Sequence, residues 1–129
     1  FKGDRAFSTS IYFLLPGSSF SAFHRIQSDE IWHFYEGCAV EIFVISPEGK
    51  LTIHRLGNMG GTPMYQVTIP KGHWFAAKSV DEEGFSLCGC TVAPGFDFED
   101  FEMAECKDMM KEFPQHNSFI KDLTNTDCD

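Results

Sequence analysis

The chain has 129 residues and a net charge of −9, from 10 Lys and Arg against 19 Asp and Glu. A chain of this length supports one hydrophobic core, and none of its apolar stretches is long enough to span a bilayer. The acidic balance argues against nucleic acid and against an anionic membrane surface as partners, since both bind basic surfaces.

Eight short runs rich in β-branched and aromatic residues predict β-strands, with turn residues between them. In chain order they cover residues 9–15, 20–26, 30–35, 40–45, 51–56, 65–69, 74–80 and 85–92. Pro16-Gly17 ends the first run, residues 46–49 predict a hairpin turn, and residues 57–63 form a Gly-rich loop. Short strands at this regular spacing predict an all-β barrel or sandwich.

The pattern changes to a helical period after Pro94-Gly95. Asp97 is a predicted N-cap, and Pro114 opens a second short helix. The apolar and acidic residues at helical spacing are Phe98, Phe101, Glu105, Met109, Phe119, Ile120 and Leu123. We therefore predict a single domain over residues 1–129, with a barrel over about 7–94 and a helical tail over about 97–124. Because the chain opens at Phe1 within the approach to a strand, we expect the natural protein to extend further at its N-terminus.

The five cysteines do not have the number or spacing of a disulfide framework, and no C-x-x-C pair indicates zinc. They are Cys38, Cys88, Cys90, Cys106 and Cys128. Cys88 and Cys90 share strand parity and are expected on one buried face as small apolar residues. Free thiols are typical of a reducing compartment, so we expect a cytoplasmic protein.

His24 and Glu30 are the candidate functional residues. They are six positions apart, so two strands in a common register would turn both side chains into the same interior. Trp32 shares the parity of Glu30, and the three side chains together suit a small polar ligand. From spacing alone, a rim position for His24 and a surface ion pair for Glu30 are equally good interpretations.

The spacing of His24, Ile26, Glu30 and Gly37 resembles the first cupin motif, which reads G, five residues, H-x-H, three or four residues, E, six residues, G. A longer set of segments resembles the cupin-5 family from Phe7 onward: His24-Arg25, Ser28-Asp29-Glu30, Trp32-His33, Tyr35, Gly37, Pro70-x-Gly72-x-Trp74 and the string CTVAPGFDF at 90–98. The resemblance implies a jelly-roll barrel, often dimeric. Members of the family are described as cupins of unknown function that are similar to sugar epimerases.

The second cupin motif, P-x-G, two residues, H, three residues, N, is matched only in part. Pro70 and Gly72 fit, but Phe75 stands at the histidine position and Ser79 at the asparagine position. A typical cupin metal site takes two histidines and a glutamate from the first motif and one histidine from the second. The resemblance therefore implies a site that has lost metal ligands.

Only His24 and Glu30 remain of the expected metal ligands, because Ile26 cannot bind a metal. Tight transition-metal sites usually have at least three protein donors. His73 lies nearer the turn, and His33 has the opposite strand parity from Glu30, so neither completes the set. We expect no metal and no cofactor.

Proton chemistry is the favoured function, with His24 as a general base beside Glu30. The resemblance to epimerases calls for a general acid, commonly a tyrosine, and Tyr12 is the candidate we select. The alternative is a non-catalytic module for a small polar ligand such as a carbohydrate, with Trp32, Trp74, Gln66 and His73 as further ligand contacts. A metal-dependent cupin enzyme is the least favoured alternative.

The expected partners are a small-molecule ligand and a second copy of the chain. The Phe-rich strands near Phe7 and Phe13 provide apolar area for a homodimer.

Overall fold

The computed structural model describes residues 3–58 and 63–129. Within them, the chain forms nine strands: β1 (Thr9–Pro16), β2 (Phe20–Arg25), β3 (Asp29–Gly37), β4 (Val40–Ile45), β5 (Leu51–Leu56), β6 (Gln66–Ile69), β7 (Trp74–Ser79), β8 (Phe85–Ala93) and β9 (Glu102–Met103). Each of the eight predicted strands has a counterpart here. Phe1 and residues 59–62 of the predicted Gly-rich loop lie outside the described residues.

The strands form two antiparallel sheets that pack face to face. The first sheet has the order β1-β8-β3-β6, and the second has the order β5-β4-β7-β2-β9. No ladder between the described strands joins the two sheets into a closed barrel, so the predicted barrel is corrected to a sandwich of the jelly-roll kind. The alternating runs are equally compatible with both architectures, because period 2 identifies an inner face without specifying how the sheet closes.

Two hydrophobic cores hold the sandwich together. The first lies between the sheets and contains Trp32, Ile42 and Phe75. The second covers the outer face of the second sheet, where Phe23 and Phe43 pack under the C-terminal helices. Both faces of β4 are therefore buried, which explains why its sequence is almost continuously apolar rather than alternating.

The C-terminal tail differs from the predicted pair of helices. Asp97 does act as an N-cap, accepting a hydrogen bond from the Glu99 amide at 2.9 Å, but it caps a single 3₁₀ turn at Phe98–Asp100. The chain then extends as β9 and pairs with β2, before α1 (Cys106–Glu112), a 3₁₀ turn at Pro114–His116 and α2 (Asn117–Asp122). Pairing with the edge of β2 supplies the backbone hydrogen bonds that a continuous helix would have made internally. None of the described helices is long and apolar enough to cross a membrane.

The cysteines are not all free thiols, contrary to the prediction. Cys106, at the start of α1, forms a disulfide with Cys128 near the chain end. Cys88 and Cys90 are buried on one face, as their parity predicted, and burial raises the pKa of the Cys88 thiol to about 11. The disulfide removes the cysteine argument for a reducing compartment, and the cytoplasmic location stays a prediction.

Candidate functional site

A cavity of about 300 Å³ opens between the two sheets. Strands from both sheets and the tail contribute to its walls, which are mostly apolar. The lining residues are Thr9, Ile11, Phe13, Ser21, Ala22, His24, Ile26, Glu30, Trp32, Cys90, Val92, Phe96, Phe101, Met103 and Asn125. The side chains with polar or ionisable groups are few, so each one has a large influence on what the cavity can bind.

His24 lies on β2 and presents one free ring nitrogen to the cavity. Its Nδ1 is 2.7 Å from the Ala22 carbonyl oxygen, and since a carbonyl only accepts, Nδ1 carries the proton. Phe75 packs against the ring at 4.2 Å between centroids, and Phe101 stacks on it at 5.4 Å. Burial lowers the pKa of His24, and the hydrogen bond to Ala22 opposes this effect in part. The imidazole is therefore neutral near pH 7, with Nε2 as a proton acceptor.

Glu30 lies on β3 and is 9% exposed. Its Oε2 accepts a hydrogen bond from Trp32 Nε1 at 2.5 Å. Burial raises the pKa of Glu30 to about 7, even though the Trp32 hydrogen bond acts in the opposite direction by stabilising the ionised form. A carboxyl group with this pKa can both release and take up a proton near neutral pH.

His24 and Glu30 approach the cavity from opposite walls. β2 belongs to the second sheet and β3 to the first, so the two side chains enter the shared interior that their spacing predicts from different sheets. A proton acceptor on one side and a titratable carboxyl on the other leave space for a ligand between them. This geometry suits an acid and a base that act on opposite sides of one molecule.

The structure gives a physical reason for the lost metal ligands. Phe75 is the cross-strand partner of His24 and packs directly on its ring. Ile26 is buried and lines the same cavity. Among the residues that the structure describes, no group of three or more His, Cys, Asp or Glu side chains could hold a metal ion. The donor set at this site therefore does not fit the metal that many cupins carry.

Four of the residues suggested by the sequence lie away from the cavity. Tyr12 is 79% exposed on the outer face of β1, because its neighbours on the strand are the ones that face inward. Gln66 is exposed on the same outer face, opposite His33 in the strand ladder. Neither side chain can reach a ligand between the sheets, which corrects the suggested roles of Tyr12 as acid and Gln66 as ligand contact.

Trp74 and His73 are displaced from the cavity for a similar reason. Trp74 immediately precedes the inward-facing Phe75, so it points outward into the second core, with the Arg25 guanidinium 4.2 Å from its ring. His73 lies before β7, with its Nδ1 3.3 Å from the Lys71 carbonyl oxygen. The aromatic walls of the cavity come instead from Phe13, Trp32 and the tail.

The tail supplies lining residues that sequence reasoning missed. Phe96, Phe101 and Met103 close one side of the cavity, and Asn125 adds an amide from the chain end. Arg5 holds this segment in place by donating to Asp100. The sequence did not predict that Phe101 lines the cavity, because its helical spacing assigned it to a helix packed against the strands. No sequence signal indicated Asn125.

The profile of the cupin-5 family, described as Cupin superfamily (DUF985), matches residues 1–104. The chain belongs to the cupin-5 family. Protein SO0799 from Shewanella oneidensis has the same fold, with a TM-score of 0.92 and 39% identity over 98% of this chain and 80% of that one. The uncharacterized protein YML079W from Saccharomyces cerevisiae is 29% identical over 109 residues, which are 81% of this chain and 54% of the yeast protein. The chain thus spans about half the length of that curated relative.

The cupin-5 assignment explains the glycine at the end of β3. Gly37 has a φ of +96°, and a side chain there would collide with the Phe85 carbonyl, so only glycine fits this motif position. A more distant likeness links the cupin-5 chain to a dTDP sugar isomerase from Desulfovibrio desulfuricans G20, at a TM-score of 0.65 and 13% identity over 77% of this chain and 65% of that one. At this identity the likeness concerns the fold alone.

Proposed function

We propose that this cupin-5 protein is a metal-independent isomerase that binds a small carbonyl compound in the cavity and moves a proton between two of its atoms. The observation that carries the proposal is the pairing of a neutral His24 and a titratable Glu30 on opposite walls of one cavity. Perturbed ionisable groups in a cleft are enriched at catalytic sites. The fold likeness to a sugar isomerase agrees with this reaction class without specifying the substrate.

In the proposed reaction, His24 Nε2 removes a proton from the carbon next to the carbonyl group. The electron pair of that C–H bond forms a carbon–carbon double bond, and the carbonyl oxygen takes the carboxyl proton of Glu30. The result is an enol between an imidazolium and a carboxylate. When the carbon next to the carbonyl group carries a hydroxyl group, the imidazolium gives its proton to the former carbonyl carbon while the Glu30 carboxylate takes the proton of the neighbouring hydroxyl, which completes an isomerisation and restores both groups.

The surrounding residues support these two roles. The Ala22 carbonyl keeps the His24 proton on Nδ1, so that Nε2 stays available as the base. The Trp32 indole holds one carboxyl oxygen of Glu30 and favours the other oxygen as the proton carrier. Phe75 and Phe101 both pack against the imidazole, which restricts its orientation toward the ligand.

The test combines a binding screen with proton exchange. Thermal shift against sugars, sugar nucleotides and simple hydroxyketones identifies binders, because a ligand specific for the folded state raises the melting temperature. Each binder is then incubated with the protein in D₂O, and deuterium incorporation is followed by NMR. We expect exchange in the wild type and a loss of about 10²–10⁴-fold in His24→Gln.

His73→Gln is the matched control for this experiment, since His73 lies outside the cavity. Equal exchange in wild type and His24→Gln would contradict the assignment of the base. Binding that depends on Glu30 without any exchange would instead support the alternative of a non-catalytic binding protein.

A further inference from the structure

The cavity is small for a cofactor-sized or nucleotide-linked substrate. Its volume of about 300 Å³ lies at the lower end of the range of about 300–1,000 Å³ for small-molecule pockets. His24 and Glu30 must both contact the reacting part of the molecule, so little space is left for a nucleotide and its two phosphates. The size of the site therefore favours a compact substrate.

The described lining of the cavity offers no cation to an anionic ligand. No Lys or Arg belongs to the lining within the described residues. Arg5, which contacts the tail, donates to Asp100 and lies 3.8 Å from Asp97. Arg25 makes hydrogen bonds of 3.0 and 3.2 Å to Glu102.

The tail segment 96–103 itself carries four carboxylates, Asp97, Glu99, Asp100 and Glu102. Together with Arg5 and Arg25 this segment carries a net charge of −2, and none of these charged groups belongs to the cavity lining. Both cations are already paired, so neither is free to compensate a phosphate or carboxylate on a ligand. Binding of an anion here would cost desolvation with no cation among the described lining residues to compensate it.

The walls also limit how polar the substrate can be. Apart from His24 and Glu30, the polar lining groups are few, and the Thr9 hydroxyl already accepts a hydrogen bond from the Phe96 amide at 2.9 Å. A free sugar presents hydroxyl groups on every side, and against Ile11, Val92 or Phe96 they would be buried without partners. Each such group would lose its hydrogen bonds to water without replacing them. A ligand with polar atoms along one edge and an apolar face avoids this loss.

From these three observations, we infer that the substrate is an uncharged carbonyl compound with an apolar face, free of phosphate and of nucleotide. The carbonyl edge lies between His24 and Glu30, and the apolar face lies against Phe96, Phe101 and Met103. The inference rests on the proposed function in one respect, that this cavity is the ligand site.

The experiment compares two uncharged ketones with anionic relatives of similar size and with two polar molecules. Methyl phenylpyruvate is paired with the phenylpyruvate anion, and 2-hydroxyacetophenone with its 4-carboxylate. D-Fructose tests a polar uncharged molecule, and UDP-glucose tests a nucleotide-linked one. We expect calorimetry on the wild type to show at least tenfold tighter binding of each uncharged aromatic ketone than of its anionic partner, of D-fructose or of UDP-glucose.

An added cation in the cavity lining provides the second arm. Met103 lines the cavity and is 44% exposed, so Met103→Lys places a cation beside the ligand with little cost to folding. We expect this variant to improve binding of the two anionic probes about tenfold. Met64→Lys is the matched control, because Met64 is 40% exposed and lies away from the cavity.

Three results would overturn the inference: tighter binding of an anionic probe by the wild type, no binding of either uncharged ketone, or equal effects of the two lysine substitutions. Deuterium exchange separates this inference from the proposed function. Binding of the uncharged ketones without exchange leaves the substrate class standing and refutes the isomerase. Exchange on D-fructose or on the phenylpyruvate anion that depends on His24, without binding of the uncharged ketones, supports the isomerase and refutes the substrate class.

Discussion

The carboxyl group of Glu30 should make the fold less stable as the pH rises from about 4.5 to about 7, and Glu30→Gln should remove this effect. Burial raises the pKa of Glu30 to about 7 in the folded protein, against 4.5 for the ordinary group. Between these two values the folded protein holds a proton that the unfolded chain has released. The stabilisation from this group is therefore fully present below pH 4.5 and is lost as the pH rises to about 7.

The size of the effect follows from the two pKa values. A difference of about 2.5 pH units, at about 1.4 kcal/mol per unit, corresponds to about 3 kcal/mol in the free energy of unfolding. Glutamine has the shape of the neutral carboxyl group, and its amide oxygen still accepts the Trp32 N–H. The variant should match the wild type near pH 4.5 and exceed its stability by about 3 kcal/mol above pH 8.

Urea unfolding at pH 4.5, 6, 7 and 8.5, followed by tryptophan fluorescence, measures both proteins under the same conditions. Glu36→Gln is the control, since Glu36 is an exposed carboxylate on the same strand. A stability difference between Glu30→Gln and wild type that stays constant across this pH range would refute the burial argument. So would a variant that is less stable than wild type at pH 8.5. Confirmation would mean that the site holds a carboxyl group at the expense of stability, as functional sites often do.

Four further predictions concern the rest of the molecule. Burial lowers the pKa of His24, so the stabilisation from its neutral ring is fully present above about pH 6.5 and is lost as the pH falls through the lowered value. The free energy of unfolding of His24→Gln, relative to that of the wild type, should therefore be higher at pH 5 than at pH 8. Urea unfolding that shows no such difference contradicts this prediction. Cys128→Ser should lower the free energy of unfolding by about 3 kcal/mol, because the bond to Cys106 closes a separation of 22 residues; unchanged urea midpoints would refute it. Light scattering should give twice the mass of one chain, and Tyr12→Glu on the exposed outer face should dissociate this homodimer. A wild-type monomer at micromolar concentration would count against the predicted homodimer. Elemental analysis should find no stoichiometric transition metal, and one metal per chain that disappears in His24→Ala would show the donor argument to be wrong.

The sequence by itself determined the strands, the family and the two central residues of the site. Alternation at period 2 is a local pattern, so each run could be assigned as a strand and divided into two faces without knowledge of its neighbours. The same parity put Glu30 and Trp32 on one face, where the indole donates to the carboxylate. The cupin motif added His24 and the left-handed Gly37, and the family match confirmed that resemblance.

Only the tertiary structure decided which faces meet. Parity distinguishes two sides of a strand but does not say which sheet the strand joins, so it could not show that His24 and Glu30 face each other from opposite sheets. It also could not show that Trp74 points toward the helices, because the outer face of the second sheet is buried as well. The tail depended most on context: Phe101 lies in an extended segment because pairing with β2 outweighs its helical spacing. The pairing of strands, the Cys106–Cys128 disulfide and the position of Asn125 arise from contacts between residues distant in sequence, and such contacts leave no local pattern to read.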